Sequence, residues 1–197
     1  ALFMVQTSST TPAPLLPLFI PRLTGVPVAH GVPQTSTAVG LILAVSGLCA
    51  ALASWVAPRV SGAYGYRRVL IVALALAGVL YVPAFFVHAV WQLVLVRAAV
   101  GLALGTALPA AGAIIGLITP APRRGAAYGL TSSAESLGFA VGPLLGGSLG
   151  ALLGIRVVFL LTAAALLVVA VVVARLVREP RDETVAESVP GKPAPAQ

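Results

Sequence analysis

VVFLLTAAALLVVAVVVA, residues 157–174, runs for eighteen positions without a charged side chain. A membrane strand alternates apolar and polar residues over about ten positions, and no such alternation exists here. As a helix rising 1.5 Å per residue, the run crosses most of a hydrocarbon core about 30 Å thick. The bilayer core offers no water to backbone N–H and C=O groups, so the segment must satisfy them internally, as a helix.

The rest of the chain repeats this pattern. Of its 197 residues 59% are apolar and 9% charged, and the mean hydropathy is +1.04. Soluble domains carry about a quarter charged residues, so a soluble enzyme, a secreted disulfide scaffold and a disordered chain all fit poorly. Apolar runs fall at 1–20, 36–56, 69–87, 90–119, 125–153 and 157–174. The expected fold class is therefore all-α, a polytopic membrane protein with six transmembrane helices. A six-helix domain is expected over 1–178. The charged, proline-rich end EPRDETVAESVPGKPAPAQ (179–197) reads as a disordered tail. The start, with Ala inside an apolar stretch, reads as a cut N-terminus. Cys49 stands alone, which excludes an intrachain disulfide and a cysteine metal site; it reads as a packed small thiol.

The net charge of +7 fits membrane topology better than nucleic-acid binding, because the basic residues lie mostly between apolar runs. Arg59, Arg67, Arg68, Arg123, Arg124, Arg175, Arg178, Arg181 and Lys192 all fall on one side of six crossings, while Arg22 and Arg156 fall on the other. The positive-inside rule puts the nine, and both chain ends, in the cytoplasm of a cell-membrane protein.

Few residues inside the spans carry chemistry. In the fifth span Gly138, Gly142, Gly146, Gly150 and Gly154 recur every four positions, with Pro143 and Gly147 among them. That stripe lets a neighbouring helix approach closely, and the proline permits a bend. The fourth span has a similar build in Gly101, Gly105, Pro109, Gly112 and Gly116. It also carries Arg97, about 10 Å inside its outer end. An arginine at that depth costs about 3 kcal/mol or more unless it faces a partner, faces a watery cavity or snorkels outward. Glu135 is the one acid inside a span. It can serve as a proton carrier, a binder of a cationic substrate, an ion-pair partner of Arg97 or a buried structural acid. In the first span Gln6, Thr7, Ser8, Ser9, Thr10 and Thr11 form a polar run before Pro12, Pro14 and Pro17. Such a run suits an interrupted helix lining a cavity, with Gln6, Ser9 and Thr10 as pathway candidates, although hydroxyls also bond to their own backbone. His88 and Trp91 read as residues of the membrane surface. Zinc, nucleophile-elbow and phosphate-loop motifs are absent, so neither an enzyme nor a cofactor is expected.

Three stretches resemble the major facilitator superfamily, in particular its drug:proton antiporter branch. PRVSGAYGYRR (58–68) is similar to the family's cytoplasmic loop motif through Gly65, Arg67 and Arg68, with Gly62 and Ala63 where the family has an acid and an arginine. VRAAVG (96–101) resembles its helix-borne arginine motif through Arg97 and Gly101. GFAVGPLLGG (138–147) matches the form of the antiporter motif through Gly138, Gly142, Pro143, Gly146 and Gly147. The charged ending, the missing loop acid and the cut beginning favour the C-terminal over the N-terminal half of such a transporter. The resemblance implies two inverted three-helix repeats, with the first, second, fourth and fifth spans bordering a mid-membrane cavity and the third and sixth facing lipid. It also implies a partner, either the missing N-terminal half or a second subunit. The expected function is proton-coupled efflux of small molecules. The alternatives are a truncated fragment that transports nothing, an importer of sugars or other metabolites in the same superfamily, and an intramembrane enzyme. Expected partners are the lipid bilayer, a small-molecule substrate and protons, with no nucleic acid.

Overall fold

The computed structural model describes residues 2–11 and 32–177. The remainder of the first expected span and the 179–197 tail lie outside the described residues. Those described form helices and short connections, with no strand among them. The helices are α1 (Leu2–Thr10), α2 (Val32–Tyr64), α3 (Tyr66–Tyr81), α4 (Val90–Ile118), α5 (Arg124–Leu153) and α6 (Ile155–Leu176). Five of them, α2 to α6, are long and apolar enough to cross a membrane.

The boundaries follow local chemistry. Gly65 and Gly154 adopt φ of 87° and 89°, a region that suits glycine, and each makes the tight turn into the next helix. After Tyr81, Pro83 opens a short 3-10 turn to Phe86. Gln92 then caps α4, its Oε1 accepting the N–H groups of His88 and Ala89 at 3.0 and 3.2 Å. Thr119 is extended, as a residue before proline prefers, and α4 stops there. One expectation changes. Residues 58–64 read as part of a loop, yet α2 continues through Pro58 to Tyr64. A single proline removes one helix hydrogen bond, and the remaining bonds carry the helix on until Gly65, which alone reverses the chain.

Packing joins α1 to α5, α2 to α4, α3 to both α4 and α6, and α5 to α6. Backbone proximity, rather than large side chains, decides two of these pairs. A Cβ added at Gly101 would strike the carbonyl oxygen of Ser46, and one at Gly105 that of Ala50, so α4 lies directly on the backbone of α2. On α5, a Cβ at Gly138 would stand 2.6 Å from the Phe3 carbonyl oxygen. Gly142 and Gly146 press in the same way on Thr10 Oγ1 of α1 and on the carbonyl oxygen of Thr11 just after it. Larger residues fill the other side, where Leu74, Tyr81, Phe159 and Leu166 are buried between α3 and α6. The Tyr81 and Phe159 rings stack with centroids 6.4 Å apart.

Two polar ties fix the ends. Arg67 Nη2 donates to the Ala174 carbonyl oxygen at 2.5 Å, capping the last turn of α6 from the start of α3. Tyr128 Oη donates to the Gly112 carbonyl oxygen at 3.1 Å, joining α5 to α4. Gly116 leaves room for that ring, since a Cβ there would lie 2.6 Å from Tyr128 Oη.

Glycines of one stripe should therefore differ in sign when replaced. Gly142→Ala should destabilise the detergent-solubilised protein by about 1–3 kcal/mol through overpacking on Thr10. Gly147→Ala, whose Cβ meets nothing within 4 Å, should stabilise by up to about 1 kcal/mol through helix propensity. Thermal unfolding of the two variants checks the pair; equal losses would count against the packing described. Arg67→Ala should cost about 1–3 kcal/mol, the worth of a hydrogen bond to a charged group, and hydrogen exchange should rise first in the last turn of α6.

Candidate functional site

Glu135 sits at the start of the fourth turn of α5, about 16 Å along the helix from its start. Its side chain is half-buried and lines an opening of about 300 Å³ with Ser136 and Phe139 of α5 and Gln6 of α1. The glycine contacts position this group. Gly138, three residues on, brings α1 so close that Phe3 and Gln6 touch the α5 backbone. One turn further, Pro143 has no N–H to give the Phe139 carbonyl, which frees an acceptor on a residue lining the opening. The site thus offers a carboxyl group, an amide side chain and a hydroxyl against one aromatic ring. That set can hold a proton or the cationic end of an amphipathic molecule.

Three hydroxyls of α1 are engaged locally. Ser9 Oγ and Thr10 Oγ1 donate to the Gln6 carbonyl oxygen at 2.8 and 2.9 Å, and Thr7 Oγ1 to that of Phe3 at 2.8 Å. Thr10 is further pinned against Gly142. Of the polar run, Gln6 alone shares the opening with Glu135; Ser9 and Thr10 are not among its lining residues.

Arg97 stands elsewhere. It is 5% exposed, and its Nη1 donates to Tyr81 Oη at 3.2 Å, which ties α4 to the end of α3. Its backbone carbonyl accepts the Ser46 hydroxyl at 3.1 Å, so the same residue also holds α2. Nε and Nη2 are buried with no protein partner among the described residues. No ion pair joins Arg97 to Glu135; the two groups belong to different helix interfaces.

The residues matched to the loop motif divide their work. Gly65 makes the turn, its N–H bonded to the Ser61 carbonyl at 2.9 Å. Arg67 caps α6, and Arg68 points away from that contact into an exposed groove. Gly62 and Ala63, which replace the acid and arginine of the resembled motif, are exposed in the last turns of α2. The antiporter-like stripe is split as well: Gly138, Gly142 and Gly146 face α1, while Gly147 faces open space.

Sequence reasoning missed Ser136, Phe139, Tyr81 and Tyr128. The first two follow Glu135 at i+1 and i+4, and helical spacing brings Phe139 onto its face. Tyr81 lies 16 residues before Arg97, on another helix, and no local spacing signals that contact. Among the described residues, no group of three His, Cys, Asp or Glu side chains gathers as metal ligands would.

Known sequences agree with this architecture. The chain is 30% identical over 164 residues to the protein named "Multidrug resistance protein MdtG" of Salmonella arizonae, and equally to those of Salmonella paratyphi B and Salmonella newport. The alignment covers 83% of this chain and 39% of each relative, so the chain spans about two fifths of the length of these curated relatives. The family model described as "Major Facilitator Superfamily" matches residues 1–197. With its apolar helices and glycine-faced contacts, this multi-pass membrane chain belongs to the Major Facilitator Superfamily.

Proposed function

We propose that residues 1–178 are the C-terminal six-helix half of a carrier that exports small molecules in exchange for protons. The observation that carries the reading is the opening shared by Glu135 and Gln6: an acid within a membrane-spanning helix, beside a neutral amide and paired with no arginine among the described residues. The name carried by the relatives, multidrug resistance protein, supports efflux as the direction and amphipathic compounds as the substrate class.

Helix pairing supports two inverted repeats, α1–α3 and α4–α6. Exchanging α1 with α4, α2 with α5 and α3 with α6 turns the α1–α5 pair into the α4–α2 pair and returns α3–α6 to itself. In both exchanged pairs the second repeat contributes the glycine face. Burial supports a partner half. Over their apolar windows 11% of α2 and 17% of α5 is buried, against 39% of α4 and 44% of α3 and α6. The least covered helices are thus a symmetry-related pair. They are where a missing N-terminal half, or a second subunit, would pack and close the cavity. Rocking of one half against the other would expose Glu135 to each side in turn. The arginine-bearing ends of α2, α4 and α6 would lie in the cytoplasm, with the protein in the cell membrane.

Glu135→Gln in the complete carrier should reduce export driven by a proton gradient at least about tenfold, a loss on the scale of a displaced general acid or base. Its membrane insertion should stay normal. Efflux in inverted vesicles across a pH gradient measures this, and undiminished proton-coupled export would remove Glu135 from the pathway. Orientation is tested separately with Cys49→Ala as background. Gly62→Cys should resist a membrane-impermeant maleimide in intact cells, whereas Arg156→Cys should label. The reverse pattern would invert the topology.

A further inference from the structure

A groove of about 710 Å³ lies between α2 and α3, with α4 as its floor. Arg68, Val72, Leu76 and Leu80 of α3 succeed one another every four residues along one wall. That row spans twelve residues, or about 18 Å, close to the depth of one leaflet's hydrocarbon, about 15 Å. Ala99 and Ala103 make a low floor. Thr106 adds no free polar group, because its hydroxyl donates to the Ala103 carbonyl at 2.8 Å. The groove is therefore apolar along its length and cationic at one end.

The cation is what selects an occupant. Three arginines surround the α2–α3 turn. Arg59 lies over the Trp55 ring, 5.6 Å from its centroid, and Arg67 caps α6. Arg68 is exposed, lines the groove and has no protein partner among the described residues. Tyr64 adds a phenol at the same end. A guanidinium beside a hydroxyl at headgroup depth, followed by a leaflet-long apolar slot, matches a phosphate ester attached to an acyl chain. We infer that the groove holds an anionic phospholipid, its phosphate on Arg68 and one acyl chain lying along Val72, Leu76 and Leu80. The inference requires only that these helices cross the bilayer, and it is independent of what the carrier transports.

Native mass spectrometry of the whole chain in detergent, with dioleoyl phosphatidylglycerol or dioleoyl phosphatidylcholine added, tests it. Phosphatidylglycerol adducts should exceed phosphatidylcholine adducts. Arg68→Gln should lower phosphatidylglycerol retention about fivefold, the worth of one arginine at an anionic surface. Arg123→Gln, the same charge change on another turn, should leave it within about twofold. Val72→Phe, at a position 62% exposed and so outside the core, should narrow the slot and lower retention too. Leu76→Phe replaces it if that variant does not elute as the parent does. Equal retention of the two lipids, an unaffected Arg68→Gln, or an Arg123→Gln loss as large would overturn the assignment. Displacement of the lipid by inorganic phosphate alone would overturn the acyl-chain contact.

Discussion

Apolar side chains gain little hydrophobic energy by meeting each other inside a bilayer, because lipid tails are as apolar as they are; close packing has to hold the helices together, and small residues bring backbones into it. In this chain that contact is made where α4 lies on α2 through Gly101 and Gly105, and α5 lies on α1 through Gly138, Gly142 and Gly146. A single Cβ at most of these positions would meet a main-chain carbonyl, which cannot swing aside as a side-chain tip does. The stripe therefore fixes helix separation, and helix separation fixes the site. Gln6 reaches the opening beside Glu135 because Gly138 admits α1 to that depth.

The opposite face is built differently. Between α3 and α6 the contact is made by Leu74, Phe159, Leu166 and the Tyr81 ring, with Arg67 closing one end and Tyr81 also bonded to Arg97 of α4. Side-chain packing thus joins α3 to α6, while backbone contact joins α4 to α2 and α5 to α1.

Much of this was legible from residue types. Uncharged runs marked the helices, and glycines at intervals of four marked the close contacts, because both signals are local and periodic. The fourth span ended before Pro120 as expected, whereas Gly154, read as part of the glycine stripe, instead turns the chain from α5 into α6. Pro58 misled because a proline in a long apolar helix removes one bond of many and does not break it. The tertiary partners were beyond reach: nothing near Arg97 in the chain announces Tyr81, and nothing near Tyr128 announces Gly112. Nor does spacing tell which hydroxyls of 7–11 turn to their own backbone. The structure gives Thr7, Ser9, Thr10 and Thr11 to main-chain carbonyls of α1, leaving the amide of Gln6 as the longer-reaching group.

The separation of Arg97 from Glu135 bears most directly on mechanism. Had the two been paired, each would satisfy the other and the half would be electrostatically closed, a structural brace. Instead Arg97 spends one donor on Tyr81 and its main-chain carbonyl on Ser46, so that it binds α2, α3 and α4 into one unit. Glu135 is left to an opening lined by neutral groups on the α1–α5 side. Among the described residues no arginine competes for a cation or proton there, and the Arg97 tie lies on other helix interfaces. Under the proposed carrier reading, the fixed charge would sit in the α2–α3–α4 unit and the exchangeable charge on the α1–α5 side.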